Sequence, residues 1–317
     1  MIIVDDTSFD FGQGAKSRRS VVTIGAYDGV HRGHQAVIEQ VRQQAQTLDA
    51  RSIVVTFDRH PASVVRPESA PLLLTDLEQK LELLAATGID ATCIVKFDES
   101  SSREEPSDFV KRVLVEGLSA KRIIIGEDFH FGHKRGGNVA LLRNLGPKFD
   151  FDVTPIELIS RGDGVDEPVS STAIRRALAG GQVELATQLL GHNFEVRGVV
   201  VHGDERGRTI GFPTANIEVA SQICRPADGV YAGVLTRADG TKHICAINLG
   251  RRPTFFEHAD YSMLEAHLLD FSGDLYGESV RVSFTHFLRG ERKFENIDAL
   301  KMQLKYDIEQ SRAVSSR

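Results

Sequence analysis

Short apolar runs alternate with amphipathic stretches from residue 21 to about residue 178. Four of these runs are rich in β-branched residues and cover 21–24, 53–57, 91–95 and 122–125. Continuous runs of this kind are typical of strands that are buried on both faces of a parallel sheet. Stretches with helical periodicity, such as 33–48 and 75–87, lie between them. The pattern therefore predicts an α/β domain with a nucleotide-binding type of sheet.

The second helical stretch carries a start signal. It opens with Thr75-Asp76-Leu77-Glu78, which has the Thr-x-x-Glu spacing of a capping box. This spacing predicts that the helix begins at Thr75.

The period changes after residue 191. Strand-like stretches bounded by Gly, Asp and Pro follow one another without helices, at 195–201, 230–235, 243–249, 263–269 and 279–287. They predict an antiparallel barrel or sandwich. The last stretch, 296–310, is predicted as a closing helix because its apolar residues share one face. We place the domain boundary near 180–192, which gives domains 1–185 and 186–317.

Composition and charge narrow the class of protein. A length of 317 residues favours two domains, and 41% hydrophobic with 26% charged residues is ordinary for a globular enzyme. The net charge of -6 gives no general attraction for nucleic acid. No leader or membrane-length apolar run is visible, and Cys93, Cys224 and Cys245 lie far apart beside apolar residues. We therefore expect a cytoplasmic protein with core cysteines in a reducing compartment.

A glycine-rich turn joins the first of these strands to the first of these helices. It reads Gly25-Ala26-Tyr27-Asp28-Gly29-Val30-His31-Arg32-Gly33-His34. Glycines let the backbone approach a phosphate, and a helix N-terminus offers N–H groups and the positive end of its dipole. His31 and His34 lie on one face of that turn and could hydrogen-bond a phosphoryl group as its charge grows. The alternatives are an incidental pair or a metal site with His130 and His133, and the glycine turn favours phosphate.

Three further polar segments follow predicted strands or open a helix. Asp58 follows the second strand in 56–61, where it would reach a ligand at the carboxyl edge of the sheet, and Asp128 follows the fourth in 126–132. The third segment, 169–175, places hydroxyls at a helix start and an arginine one turn in, with Ser170, Ser171, Thr172 and Arg175. Taken alone, Asp58 could only start a turn and the hydroxyls could only cap the helix.

The second half contains a glycine-rich loop of a different type. Its candidate phosphate- and metal-binding residues are Gly203, Arg206, Gly207, Arg208, Gly211, Pro213, Thr214 and Asn216. The loop lacks the Gly-Lys-Ser/Thr ending of a P-loop, and a plain surface hairpin is the alternative. Thr214 and Asn216 alternate along an extended segment, so their oxygens point the same way and suit Mg²⁺. Glu265 lies in an apolar strand pattern, where it is either functional or outward-facing.

The two glycine-rich strings resemble known families. The string G-x-Y-D-G-V-H-x-G-H, from Gly25 to His34, resembles the FMN adenylyltransferase module of bacterial bifunctional riboflavin kinase/FAD synthetases. The string G-D-x-x-G-R-x-x-G-F-P-T-A-N, from Gly203 to Asn216, resembles flavokinase. The resemblance covers about 20–310. It implies a Rossmann-like nucleotidyltransferase domain followed by an antiparallel β-barrel flavokinase domain with a closing helix.

The resemblance also implies an activity and residue roles. Riboflavin is phosphorylated to FMN, and FMN is then adenylylated by ATP to FAD with release of pyrophosphate. Flavins are substrates and products, and Mg²⁺ accompanies ATP. In the kinase half, Glu265 is the implied general base and Arg289 a clamp on the flavin side. In the adenylyltransferase half, the residues implied to bind ATP, flavin or transition-state charge are Gly25, Asp28, His31, Gly33, His34, Asp58, Asp128, Ser170, Ser171, Thr172 and Arg175.

Two other interpretations stay open at this point. One is a riboflavin kinase whose first module has lost adenylylation, although His31, His34, Ser171 and Arg175 are all present. The other is a flavin-sensing regulatory protein that binds RNA, for which Lys16-Ser17-Arg18-Arg19 is the one basic candidate cluster. We expect riboflavin, FMN, FAD and ATP as partners, with neither nucleic acid nor membrane, and the sequence leaves the oligomeric state open.

Overall fold

The structure is a computed structural model that describes residues 1–12, 19–157, 159–203, 206–250 and 263–315. Contacts between Cα atoms divide the chain into two compact units, Met1–Ser170 and Ser171–Arg317. Each unit has its own sheet and its own core, and each is described here by itself.

The N-terminal unit is built on a parallel sheet of six strands. In chain order its elements are β1 (Ile2–Asp5), β2 (Ser20–Ile24), α1 (Arg32–Thr47), β3 (Arg51–Phe57), α2 (Ala62–Val65), α3 (Leu77–Ala86), β4 (Ala91–Val95), α4 (Pro106–Phe109), a π-helical segment (Val110–Gly117), β5 (Ala120–Gly126), α5 (Val139–Phe149) and β6 (Asp152–Ile156). The strand order is β1-β4-β3-β2-β5-β6. The chain leaves β2 and β5 in opposite directions across the sheet, so the switch point lies between these two strands.

Both faces of this sheet are buried, which explains the continuous apolar runs. Along β2 and β3, Val22, Ile24, Ile53 and Val55 pack on one side of the sheet. The residues between them, such as Val54, pack on the other side with α1 and α3. Because successive side chains of a strand point to opposite faces, apolar residues are favoured at consecutive positions of these strands.

The start of α3 differs from the predicted capping box by one residue. Its N-cap is Asp76, whose carboxylate accepts a hydrogen bond from the Gln79 backbone N–H at 2.7 Å. Thr75 does not cap the helix because its hydroxyl contacts the Asp28 carboxylate and accepts a hydrogen bond from the Gly29 backbone N–H. A contact distant in sequence therefore overrides the local signal.

The C-terminal unit is a closed antiparallel barrel. Its elements are α6 (Ser171–Ala179), α7 (Val183–Leu190), β7 (Phe194–Val201), α8 (Arg206–Thr209), β8 (Ala215–Val219), β9 (Gly229–Thr236), β10 (Lys242–Gly250), β11 (Met263–Leu268), β12 (Ser279–Arg289) and α9 (Ile297–Ser315). The strands close in the order β10-β11-β8-β7-β12-β9. Helix α7 packs on β7 and β12, and α9 packs on β9, β10 and β12.

The predicted architecture is confirmed in both units: the first sheet is parallel, the second is a closed barrel, and a helix ends the chain. Every predicted strand is present, with ends within two residues of those expected. The sequence pattern did not single out β1, β6, β8, α2, α4, the π-helical segment, α5 or α7. All three cysteines are free and buried, as expected for core residues.

Candidate active sites

The turn at the carboxyl end of β2 has an unusual backbone. Tyr27 and Val30 adopt positive φ angles of 51° and 38°, and Gly29 has φ 82°. Positive φ is costly for a β-branched residue such as Val30 and persists only where the surroundings hold it. The Gln35 side-chain amide holds this conformation by donating to the Val30 carbonyl at 2.8 Å. The turn therefore has one fixed shape at the switch point of the sheet.

Asp28 anchors this turn to the segment before α3. Its carboxylate is buried and accepts hydrogen bonds from the backbone N–H groups of Leu74 at 2.9 Å and Thr75 at 3.1 Å. The family resemblance predicts that Asp28 binds ATP or flavin, and this stays a prediction. Its bonds to the segment before α3 also support a positioning role.

Replacement of Asp28 by Ala is expected to lower the free energy of unfolding of the N-terminal unit by about 3 kcal/mol, because two buried N–H groups would lose a charged acceptor. Urea unfolding measures this change. Asp76→Ala is the matched control, since loss of a helix N-cap costs only about 1 kcal/mol. Equal effects of the two substitutions would contradict the anchoring role of Asp28.

His31 and His34 form a stacked pair at the N-terminus of α1. Their ring centroids are 3.6 Å apart with an interplanar angle of 17°. His31 is the N-cap, and its Nδ1 accepts a hydrogen bond from the His34 backbone N–H at 3.3 Å. When Nδ1 is the acceptor, the proton of a neutral imidazole is on Nε2. His31 therefore has an Nε2–H group that can act as a donor.

The environment of His34 favours its neutral form. Burial lowers the pKa of His34 well below its usual range, and nearby His31 and Lys80 act in the same direction. Its Nδ1 is buried and has no hydrogen-bond partner among the described residues. The N–H groups and the positive dipole end of a helix N-terminus are suited to an anionic ligand. Two neutral imidazoles next to this helix end can bind a phosphoryl group.

Lys80 is a residue of this site that motif reading missed. It belongs to α3, is 7% exposed, and its Nζ donates to the Phe57 carbonyl at 2.8 Å. Burial lowers the pKa of Lys80 to about 8, while the carboxylates of Asp28 and Asp58 act in the opposite direction. The one sequence signal was a lysine within the buried face of an amphipathic helix.

The other predicted residues of this half are spread over the same edge of the sheet. The Asp58 carboxylate, just beyond β3, accepts from the Phe97 backbone N–H at 2.8 Å. Asp128 is exposed in the turn after β5. Gly25 and Gly33 are tight positions, since a Cβ on Gly33 would lie 3.1 Å from the His31 ring and 3.3 Å from the Val169 carbonyl. That contact places the residue before Ser170 next to α1.

The remaining predicted phosphate-binding residues belong to the other unit. Ser171, Thr172 and Arg175 lie in α6, with Ser171 as its first residue. Ser171 and Arg175 are partly buried, and Thr172 is exposed. Within the described ranges, no group of three His, Cys, Asp or Glu residues is arranged to hold a metal ion.

A cavity of about 550 Å³ lies against the outer face of the barrel, and α9 forms one side of it. Apolar residues of the helix, among them Leu300, Leu304 and Ile308, line it together with Phe294. Polar groups converge on the same space from Thr214, Asn248, Glu265, His267 and Arg289. A largely apolar cavity with a few convergent polar groups is the usual form of a small-molecule site.

Glu265 lies on the outer face of the barrel, in the wall of this cavity. Its strand β11 is paired with β10 and β8, where its partners in register are Asn248 and Asn216. The flanking residues Leu264 and Ala266 are buried on the opposite face of the strand. The carboxylate is thus set among amide side chains next to an apolar cavity.

The glycine-rich loop approaches this site through Gly203 and Thr214. A Cβ on Gly203 would overlap the Asn216 side-chain amide, so only glycine fits there. Thr214 and Gly207 line the cavity, and the Pro213 carbonyl accepts a hydrogen bond from His267 Nδ1 at 2.7 Å. The loop also contains Arg208 and Gly211, both exposed. The Arg206 side chain lies outside the described residues.

Arg289 is held by a partner that the sequence did not reveal. At the end of β12, it donates to both carboxylate oxygens of Asp307 on α9, at 2.7–3.1 Å. The Asp307 side chain is 3% exposed and also accepts from the Gln303 amide at 2.6 Å. This pair joins the closing helix to the barrel at the cavity wall.

Family models match both halves of the chain. The model described as FAD synthetase matches residues 13–173, and the model described as riboflavin kinase matches residues 190–315. The first match covers the turn with His31 and His34, and the second covers the barrel with Glu265. The chain belongs to the bifunctional riboflavin kinase/FMN adenylyltransferase family. The predicted family is thereby confirmed over both modules.

Curated relatives carry the same two modules. A bifunctional riboflavin kinase/FMN adenylyltransferase of Haemophilus influenzae is 39% identical over 92% of this chain and 93% of its own. The protein of that name from Escherichia coli K12 is 40% identical over 90% of both chains. The resemblance therefore extends over at least 90% of the length of these family members and includes both modules.

A solved structure has the same overall fold. It is described as a macrolide-efflux protein from Streptococcus pneumoniae, is 30% identical, and covers 98% of this chain and 99% of its own with a TM-score of 0.85. Among the described residues, we find no helix that is both long and apolar enough to cross a bilayer. The fold of this chain thus agrees with that of a solved structure over nearly its full length.

Proposed function

We propose that the two activities of the family are divided between two functional domains of this enzyme, an adenylyltransferase domain that includes α6 and a kinase domain that contains the barrel. Riboflavin is phosphorylated in the cavity beneath α9, and FMN is adenylylated at the carboxyl edge of the parallel sheet. The observation that carries this division is the placement of the stacked His31 and His34 at a helix N-terminus and of Glu265 in an apolar cavity wall. We keep domains 1–185 and 186–317 as the proposed functional boundaries. The three buried free cysteines support a cytoplasmic location.

Adenylyl transfer requires no covalent enzyme intermediate. An oxygen of the FMN phosphate attacks the α-phosphorus of ATP, the bond from that phosphorus to the bridging oxygen breaks, and pyrophosphate leaves with the electron pair. His31 and His34 stabilise the charge that grows on the α-phosphoryl oxygens. Asp58 and Asp128 orient the substrates, and Ser170, Ser171, Thr172 and Arg175 bind the ATP phosphates.

Riboflavin phosphorylation uses the cavity of the barrel. Glu265 takes the proton from the 5′-hydroxyl as its oxygen attacks the γ-phosphorus of ATP, and ADP leaves. The apolar wall from α9 accepts the flavin ring, and Arg289 fixes the adjoining loop. A carboxylate at the edge of an apolar cavity is well placed to act as the base, since it faces the substrate and not bulk water.

The donor set fits Mg²⁺ bound with ATP. The Thr214 hydroxyl, the Asn216 amide oxygen and the Glu265 carboxylate are hard oxygen ligands that come from the loop and two paired strands. Among them, Thr214 and Asn216 would hold the ion. When bound, Mg²⁺ neutralises charge on the transferring phosphate.

A time course tests the proposed division. The purified enzyme is incubated with riboflavin, ATP and Mg²⁺, and riboflavin, FMN and FAD are separated by chromatography. FMN is expected to rise and then give way to FAD. FMN alone would contradict the role of the N-terminal unit. Retention of flavin without any product would favour the flavin-sensing regulatory protein.

The ion pair between Arg289 and Asp307 is expected to stabilise the packing of α9 on the barrel. Asp307→Ala leaves a mostly buried guanidinium without its partner, and about 3 kcal/mol of unfolding free energy should be lost in a urea titration. Arg312→Ala is the control, because its pair with Asp270 is exposed and worth about 1 kcal/mol or less. Similar losses in both variants would show that Asp307 is not an anchor.

A further inference from the structure

One ammonium group joins the ends of two strands beneath the phosphate-binding turn. The Lys80 Nζ donates to the Phe57 carbonyl at 2.8 Å, to the Thr56 Oγ1 at 3.2 Å and to the Ala26 carbonyl at 3.4 Å. The Thr56 hydroxyl also donates to the Ala26 carbonyl, at 3.1 Å. Phe57 ends β3, and Ala26 lies two residues beyond β2. Lys80 therefore bonds the start of the turn 25–31 to the neighbouring strand.

A lysine at this position carries a cost in free energy, because its charge is desolvated. Its carbon chain lies in the buried face of α3, where an apolar residue would pack without desolvating a charge. The charge is retained at the point where residues of three elements approach it: Asp28 in the turn, Asp58 beyond β3, and His34 on α1. The two carboxylates favour the ammonium form, and the ammonium favours a neutral His34. The protonation states of Lys80 and His34 are therefore linked to the geometry of the turn.

We propose that Lys80 is a positioning residue for adenylyl transfer, which fixes the turn 25–31 against the end of β3 so that His31 and His34 meet the α-phosphate. This inference rests on the proposed role of that turn. Lys80 does not itself contact the reacting atoms, because its hydrogen bonds go to the protein. A small displacement of groups that stabilise a transition state affects kcat more than substrate binding.

Lys80→Met tests the position by removing the ammonium while keeping the length of the chain. We expect kcat for FAD formation from FMN to fall about 30-fold, with KM for ATP and FMN changed less than about threefold. Riboflavin phosphorylation should be unchanged. Thr56→Val is the matched control in the same network, since it removes a hydroxyl but keeps the charge, and we expect a kcat loss of about threefold.

The pH dependence of kcat distinguishes a positioning lysine from a purely structural one, because substitution of a purely structural lysine would not change the pH profile. The pKa of Lys80 is about 8, so its ammonium is present below pH 8 and lost above it. In the unmodified enzyme, kcat for adenylyl transfer should therefore fall as the pH rises through about 8. Lys80→Arg keeps its charge throughout this range because guanidinium titrates above about 12, and its profile should be flat there.

Each result supports or contradicts the proposal. A Lys80→Met variant that retains kcat, or one that loses activity through KM alone, would contradict it. So would a Lys80→Arg variant with the same alkaline fall as the unmodified enzyme. If Lys80→Met does not fold, the Lys80→Arg profile still decides. Failure of the proposed site itself would give a different result. The His34→Ala variant would then keep adenylyl transfer, whatever the effect of substituting Lys80.

Discussion

Replacement of Glu265 by Gln is expected to lower the rate of FMN formation by about 10²- to 10⁴-fold, the range of general base catalysis. Glutamine has the same shape and can keep the register of β11 with β8 and β10, but it cannot accept a proton from the 5′-hydroxyl. Initial rates of FMN formation at saturating riboflavin and ATP give kcat directly. FAD formation from added FMN should be unchanged, because it belongs to the other proposed domain.

Glu218 offers a matched control for this substitution. It lies on β8, the strand paired with β11, but it is exposed and does not line the cavity. Glu218→Gln should therefore leave both activities unchanged. Kinase turnover within about twofold of normal in Glu265→Gln would contradict the base role and leave Glu265 as a binding residue.

Much of the fold follows from local patterns in the sequence. The inner strands β2 to β5 were visible because both of their faces are buried, and each is a continuous apolar run. The edge strand β1 was missed because Ile2 and Ile3 are about half exposed and the strand has only four residues. Helix α5 was missed because Gly146 and Pro147 lie within it, although Asn138 caps it regularly. Edges and interrupted helices depend on tertiary contacts.

The candidate sites show the same limit. The turn with His31 and His34 could be predicted because its residues are adjacent in the sequence and resemble a known family. Lys80 and Asp307 could not, because their importance comes from what α3 and α9 pack against. Asp28 was found by the motif, but its anchoring contacts within the protein were not. Its buried bonds to Leu74 and Thr75 are long-range contacts that no spacing rule contains.

Replacement of His34 by Ala is expected to lower FAD formation by about 10²- to 10³-fold, the usual loss when one donor to a transition-state charge is removed. His34 stacks on His31 and has a partnerless buried nitrogen, so its removal also frees the ring of His31. FMN should accumulate when the variant is given riboflavin and ATP, because kinase turnover does not depend on this turn.

His34→Gln separates the donor from the ring. A glutamine amide can donate to a phosphoryl oxygen but cannot stack as an imidazole does, so an activity between those of His34→Ala and the unmodified enzyme would assign the larger part of the effect to donation. Equal loss in both variants would assign it to the stacked geometry with His31. Unchanged adenylyl transfer in His34→Ala would remove the histidine pair from the mechanism, and the phosphate-binding function of the turn would then depend on its backbone N–H groups and the α1 dipole alone.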